Sequence, residues 1–259
     1  MRQLGRRSLI KMVGAGATAG ALVQIGGIAR AGEAQPSAAK GPRALPWAYA
    51  ALDPDATGDR AFASYMKGHC MYGAFESIAG ATAARLGGAY KEFPFEMFIY
   101  GAGGVNGWAT LCGSLNGAAA AIQVLSPKPE PLIDALYAWY EREALPNYVP
   151  KAAKFPNVQS VAGSPLCHQS LTRWCAAAKK KTYSAERKER CGVLTAAVAR
   201  QAVMLLNAQT AGKPIEAALS KPTTDCMSCH EKGGVLENTR GKMTCGGCHF
   251  TLKTKHPTI

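Results

Sequence analysis

Histidine is scarce in this chain, with five in 259 residues, and charge is thin, at 18% of residues against 47% hydrophobic. That balance reads as a well-packed globular protein, long enough for one sizeable domain and an appendage. No period of roughly 20–50 residues repeats, which excludes a solenoid or propeller. No basic stripe interleaved with aromatics is present, so nucleic acid is not an expected partner. The glycines Gly103, Gly104 and Gly107 lack the Lys-Ser/Thr of a phosphate loop and the βαβ setting of a dinucleotide fold. They are expected instead in a turn or at close helix contacts. No catalytic dyad is evident.

Against that scarcity, two of the five histidines fall in one repeated pattern. Cys226-Met227-Ser228-Cys229-His230 and Cys245-Gly246-Gly247-Cys248-His249 are Cys-x-x-Cys-His units joined by a connector of 14 residues. In each, two thiols can form thioethers to haem vinyl groups while the adjoining His230 or His249 is held under the iron. The same cysteines have a zinc-ribbon spacing, but a ribbon saturates its metal with four thiolates and has no use for a His after each pair. A chance His at both places is about a one-in-a-few-thousand event. Two covalent c haems are therefore expected, in a tail with too little apolar content for a core of its own.

The N-terminus accounts for part of the formal charge of +13. Gly5-Arg6-Arg7-Ser8-Leu9-Ile10-Lys11 resembles the twin-arginine export consensus, a Gly/Ala-rich stretch follows to Ala29, and Ala29-Arg30-Ala31 suits a signal peptidase. Loss of residues 1–31 removes five basic side chains and leaves about +8. The alternative, a membrane anchor, suits the weakly apolar stretch poorly, so no stable span is expected after cleavage. Twin-arginine export carries folded proteins, whereas c haem is attached after export. Both signals in one chain point to a periplasmic protein with a second cofactor assembled beforehand.

The rest reads as mainly α. Asp53-Pro54 opens a helix to about Leu86, with Asp as N-cap and Pro at its first position, and Gly87-Gly88 stops it. Further helices are expected over Trp108–Val124, containing Cys112; from Leu132 to near Leu145-Pro146; over Leu166–Lys180; and over Ala185–Asn207 behind a Ser184 cap. Phe93–Tyr100 is either a strand or a helical turn. Lys179-Lys180-Lys181 reads as a solvated helix end. Gly212 to Pro222 is a linker. The expected division is a signal peptide at 1–31, a helical cysteine-rich domain at 32–215 and a dihaem segment at 216–259.

Five cysteines remain: Cys70, Cys112, Cys167, Cys175 and Cys191. In an exported protein the default is disulfides, but five is odd. Cys70, Cys112, Cys167 and Cys191 belong to four expected helices, and a bundle can converge them on one metal centre. Buried free thiols or one or two disulfides are the alternatives, since no pair has ferredoxin spacing.

Gly103-Gly104 … Gly107 … Cys112-Gly113 … Gly117, with Ala118–Ile122 and a preceding Cys70, resembles the redox-active family named for its C, GCAxxG, C, C pattern. Cys167-His168-Gln169-Ser170-Leu171 is similar to that family's Cys-x-x-x-Leu. Cys191 with Val198–Ala202 resembles its closing helix. Such a domain followed by paired haem motifs, behind a twin-arginine signal, resembles the split-Soret cytochromes c over roughly residues 60 to 259.

The resemblance implies a homodimer with two closely stacked bis-histidine c haems per subunit and a cysteine-ligated iron–sulfur cluster. It implies Cys70, Cys112, Cys167 and Cys191 as cluster ligands. Cys112 precedes Gly113-Ser114 where the family has Gly-Ala around its Cys, so Cys175 stands as a substitute. Distal haem ligands would come from His69, His168 or His256, within the subunit or across the dimer. Either of the first two could instead be a partly buried His beside sulfur, and His256 could belong to a loose terminus. The expected activity is electron transfer with redox partner proteins. The alternatives are a haem-dependent reductase of a small molecule, which needs an open iron, and a zinc-ribbon binding module.

Overall fold

The computed structural model describes residues 45–87 and 93–249; the expected signal peptide and His256 lie outside them. Asp53 caps the first helix as expected, its carboxylate accepting from the Ala56 amide at 2.8 Å, with Pro54 in the first turn. This helix, α1 (Pro54–Leu86), ends at Gly87, whose φ of 63° suits glycine. It is not continuous. Gly68 and His69 leave helical geometry, and His69 takes φ 65° and ψ −166°, an arrangement that costs a non-glycine residue about 1–3 kcal/mol. The second half of α1 therefore starts afresh at Cys70.

Phe93–Tyr100 resolves as a helical turn, a 3-10 helix over Phe95–Gly101. Phe98 stacks on Phe75 of α1 with ring centroids 4.1 Å apart, and Phe93 and Phe95 complete an aromatic cluster. Helix α2 (Gly113–Leu125) starts five residues later than the sequence suggests, and Cys112 is its N-cap rather than an interior residue. A non-local pairing overrides helix propensity here. Leu111 bridges Leu166, the Cys112 amide donates to the Pro165 carbonyl at 2.9 Å, and the Cys167 amide donates to the Thr110 carbonyl at 2.7 Å.

Helix α3 (Pro129–Arg142) stops short of the expected Leu145 because Ala144–Leu145 (β1) pairs antiparallel with Ser160–Val161 (β2). Helix α4 (Cys167–Ala178) ends at Lys179 in a left-handed conformation, and Lys180 pairs with Glu186 at 2.6 Å, as a solvated helix end should. Helix α5 (Ala185–Thr210) has the expected Ser184 cap on the Arg187 amide at 3.2 Å. Its most apolar window is 67% buried, so its composition is that of a core helix. Lys221–Pro222, expected to close a linker, instead opens α6 (Lys221–His230), with Ser220 capping the Thr223 amide.

The architecture is mainly α, with the described residues in one compact unit. Its core lies where α5 and α2 pack on α1: Phe75, Ile78, Leu115, Ile122, Val198 and Val203 are at most 1% exposed. Each such side chain contributes about 1.5–3 kcal/mol relative to exposure. Small residues set the spacing. A Cβ on Gly117 would stand 2.2 Å from the Met71 carbonyl oxygen, and one on Gly113 would stand 2.6 Å from Cys70 Sγ.

Helix propensity alone would make Gly117→Ala stabilising by about 1 kcal/mol. The clash with the α1 backbone reverses that sign, and the variant is expected to lose about 1–3 kcal/mol. A shift of the urea unfolding midpoint checks it; a more stable variant would show that α2 does not bear on α1 this closely.

Candidate metal centre and haem-attachment segment

The break in α1 and the late start of α2 share a result. Cys70 is the first residue after the break, Cys112 caps α2 and Cys167 opens α4. Three cysteines thus sit at three helix N-termini, where the helix dipole favours negative charge. Cys191 comes from the body of α5. All four line one cavity of about 440 Å³, together with His69 and His168. Cys175 does not line it; its thiol is 3.9 Å from the Thr182 hydroxyl.

The chemistry of this cavity is set by burial. Cys70 and Cys112 are buried, and desolvation pushes the Cys70 thiol from the ordinary 9.0 up to about 12, with Cys112 and Cys191 adding like-charge repulsion. Cys167 is raised to about 12 by the same causes, burial first, then Cys112, Cys191 and Cys70. The thiols therefore sense one another, and burial outweighs the helix termini. Among the described residues every cysteine is a free thiol, and no three Cys, His, Asp or Glu side chains close on a point as a single bound ion would need. Thiols ringing a cavity suit a polynuclear iron centre that brings its own sulfides. One buried polar atom of the lining lacks a partner, Arg190 Nε. The residues present fit an anionic group.

The Cys-x-x-Cys-His segment rests against α3. Glu141, 9% exposed, accepts from the Thr244 amide at 3.1 Å and the Thr244 hydroxyl at 2.9 Å. Lys242 pairs with Asp134 at 2.5 Å, and the Ser164 hydroxyl lies 3.6 Å from Met243 Sδ. The two motifs also meet: burial raises the Cys245 thiol, and the neighbouring Cys226 thiol raises it further. Cys226, Cys229 and Cys248 are exposed. His230 Nδ1 is 2.7 Å from Asn238 Oδ1, so with Nδ1 donating, the ring's lone pair lies on Nε2. The His249 amide donates to the Cys245 carbonyl at 3.1 Å.

Sequence reasoning found the cysteines and missed what supports them. Glu141 reads as one more acid of an amphipathic helix, yet it is the buried anchor of the second motif. Arg190 stands beside Cys191 in the sequence, and only that adjacency hinted at a role.

Three comparisons bear on these sites. A family model described as a putative redox-active protein (C_GCAxxG_C_C) matches residues 72–205, a range that begins two residues after Cys70. The chain is 35% identical, over an alignment that covers 95% of its length and 94% of the other's, to the split-Soret cytochrome c of Desulfovibrio desulfuricans (strain ATCC 27774 / DSM 6949 / MB). A solved structure of the split-Soret cytochrome c from Desulfovibrio desulfuricans ATCC 27774, reported with a novel iron centre, matches at TM-score 0.73 and 33% identity. That match covers 78% of this chain and 90% of the other.

In the metal-free protein at pH 8, Cys70 and Cys167 are expected to alkylate far more slowly than the exposed Cys226 and Cys229, as read by mass spectrometry. Because their folded-state pKa is raised, the native state holds protons that the unfolded chain releases. Their contribution to stability is whole below about pH 9 and is lost as pH rises towards about 12. Glu141→Ala leaves the Thr244 donors without an acceptor. Hydrogen exchange over residues 242–249 should quicken by an amount equivalent to about 1–3 kcal/mol, with α1 and α5 unchanged.

Proposed function

The chain belongs to the split-Soret cytochrome c family, and from that membership we propose a periplasmic electron carrier with two c haems and an iron–sulfur centre. Electron transfer by a c-type cytochrome is what the family relation supports. The finer reading rests on one observation: Cys70, Cys112, Cys167 and Cys191 surround a single cavity in the helical body, apart from the cysteines of the two haem motifs.

Each residue set has a distinct task. Cys226 with Cys229, and Cys245 with Cys248, anchor one haem apiece, and His230 and His249 serve as the adjoining axial ligands. Asn238 holds the His230 ring in place for that role. The contact between Cys226 and Cys245 keeps the two attachment points together, which favours closely spaced haems. The four helical cysteines hold the iron centre, and burial of Cys70 and Cys112 keeps water from it. When bound, these groups supply one-electron oxidation and reduction.

His69 and His168 line the cysteine cavity, which suits them as neighbours of the iron centre. Distal haem ligands then include His256 or a histidine of a second subunit, in keeping with a homodimer. Export by the twin-arginine route delivers the folded helical body with its centre, haem attachment follows, and redox proteins act as donor and acceptor.

The test is to purify the chain from a host that matures c-type cytochromes and count haem and iron. Two covalent haems with excess iron per chain are expected. Cys226→Ser should remove a thioether and leave non-haem iron intact, while Cys70→Ser should lower non-haem iron and leave the haem spectrum unchanged. Two haems without further iron would remove the iron centre. Zinc without haem would overturn the whole reading.

A further inference from the structure

We propose that Arg190 and Tyr140 are positioning residues that set the reduction potential of the cysteine cavity's iron centre, holding it above the value its thiolates alone would give. The inference rests on the reading that this cavity holds such a centre.

Arg190 lies on α5 and is 6% exposed. One terminal nitrogen donates to the Ser170 hydroxyl at 3.0 Å, and its guanidinium carbon is 5.8 Å from the Trp174 ring centroid. Its Nε has no hydrogen-bond partner. Among the described residues no carboxylate lies within 4.0 Å of the guanidinium, the ion-pairing limit. The adjacent acid, Glu189, is committed elsewhere, accepting from the amides of Lys154 and Phe155 at 2.8 and 2.7 Å. A cation withdrawn from water without a counterion is strongly unfavourable, so a fold that keeps one requires an anion beside it. Arg190 and all four cysteines line the same cavity.

Tyr140 approaches from α3. Its side chain is fully buried, its hydroxyl lies beside the Cys112 thiol and Ser170 without a hydrogen bond of good geometry, and the ionisable groups that act on it are Cys112 and Arg190. Ser170 is 2% exposed and belongs to α4, the helix that opens with Cys167. A guanidinium without a counterion and a buried phenol, from two helices, thus approach the thiols of three others. Both are donors, and neither faces a carboxylate: Arg190 reaches the Ser170 hydroxyl, and the Tyr140 hydroxyl lies beside Ser170 and the Cys112 thiol.

Thiolate-ligated iron carries net negative charge, and taking up one electron adds one more without making or breaking a bond. A fixed positive charge and a hydroxyl donor stabilise the reduced state more than the oxidised one, most effectively where water is excluded. Arg190 supplies the charge, Tyr140 the dipole, and Ser170 with Trp174 holds the guanidinium in place.

The experiment is a redox titration followed by electron paramagnetic resonance on the full haem- and iron-loaded chain, with the haem potentials in each sample as internal reference. Arg190→Gln should shift the centre's one-electron equilibrium at least tenfold towards the oxidised form, a fall of about 59 mV. Arg190→Lys, which keeps the charge, should restore most of it, and Tyr140→Phe should give a smaller shift of the same sign. Haem potentials should stay fixed throughout. If Arg190→Gln does not fold, Tyr140→Phe, which preserves volume, carries the test. An unchanged centre potential, or an equal fall with Lys and Gln, would overturn the proposal and leave the iron centre standing. Absence of non-haem iron in the unaltered chain would remove that reading and the proposal with it.

Discussion

The contact on which the cavity depends is the seating of α2 against the break in α1. Gly113 and Gly117 leave no side chain between the two backbones, so α2 meets the Cys70–Met71 step directly. Had α1 run straight through His69, Cys70 would sit mid-helix with its amide committed to the preceding turn. The break frees that amide, starts a new helix dipole and turns the thiol towards Cys112. The local strain at His69 is small beside the burial of Phe75, Ile78 and Leu115 on either side of the junction. Packing of the core therefore enforces a geometry that the isolated helix would reject.

The electrostatics of the cavity are divided. Burial raises the thiols of Cys70 and Cys167 far above their ordinary range, which keeps them protonated. Helix termini and Arg190 act in the other direction and are outweighed by burial. A bound metal cluster would change the balance, since Cys70, Cys112, Cys167 and Cys191 would hold it as thiolates and their negative charge would face a guanidinium already oriented. Loading and proton release are thus one event.

Much of the fold was legible because its signals are local. Asp53-Pro54 and Ser184 announce two helix starts, Gly87 one end, and the Cys-x-x-Cys-His units need only five residues each. The misreadings have non-local causes. The pairing of Leu111 with Leu166 holds Trp108 to Cys112 out of helix, and that contact spans 55 residues of sequence. Pro222 reads equally well as a linker residue and as a helix-opening proline, and Ser220 settles the choice only through its cap. Convergence of four cysteines was foreseeable as a possibility of the bundle. The partners that give the cavity its character, Tyr140, Ser170 and Arg190, come from α3, α4 and α5 and carry no pattern of their own.

The tail's attachment to the body is made by side chains at few points, chiefly Glu141 with Thr244 and Lys242 with Asp134. Its two Cys-x-x-Cys-His units contribute little to the core: Met227 is their one buried apolar side chain among the described residues. The helical body can therefore reach its final form first, leaving the tail's thiols in reach of a modifying enzyme. Such an architecture separates two assembly steps in time. A centre enclosed by the bundle has to be built before or during closure, whereas groups bonded to the tail can be added to a finished protein.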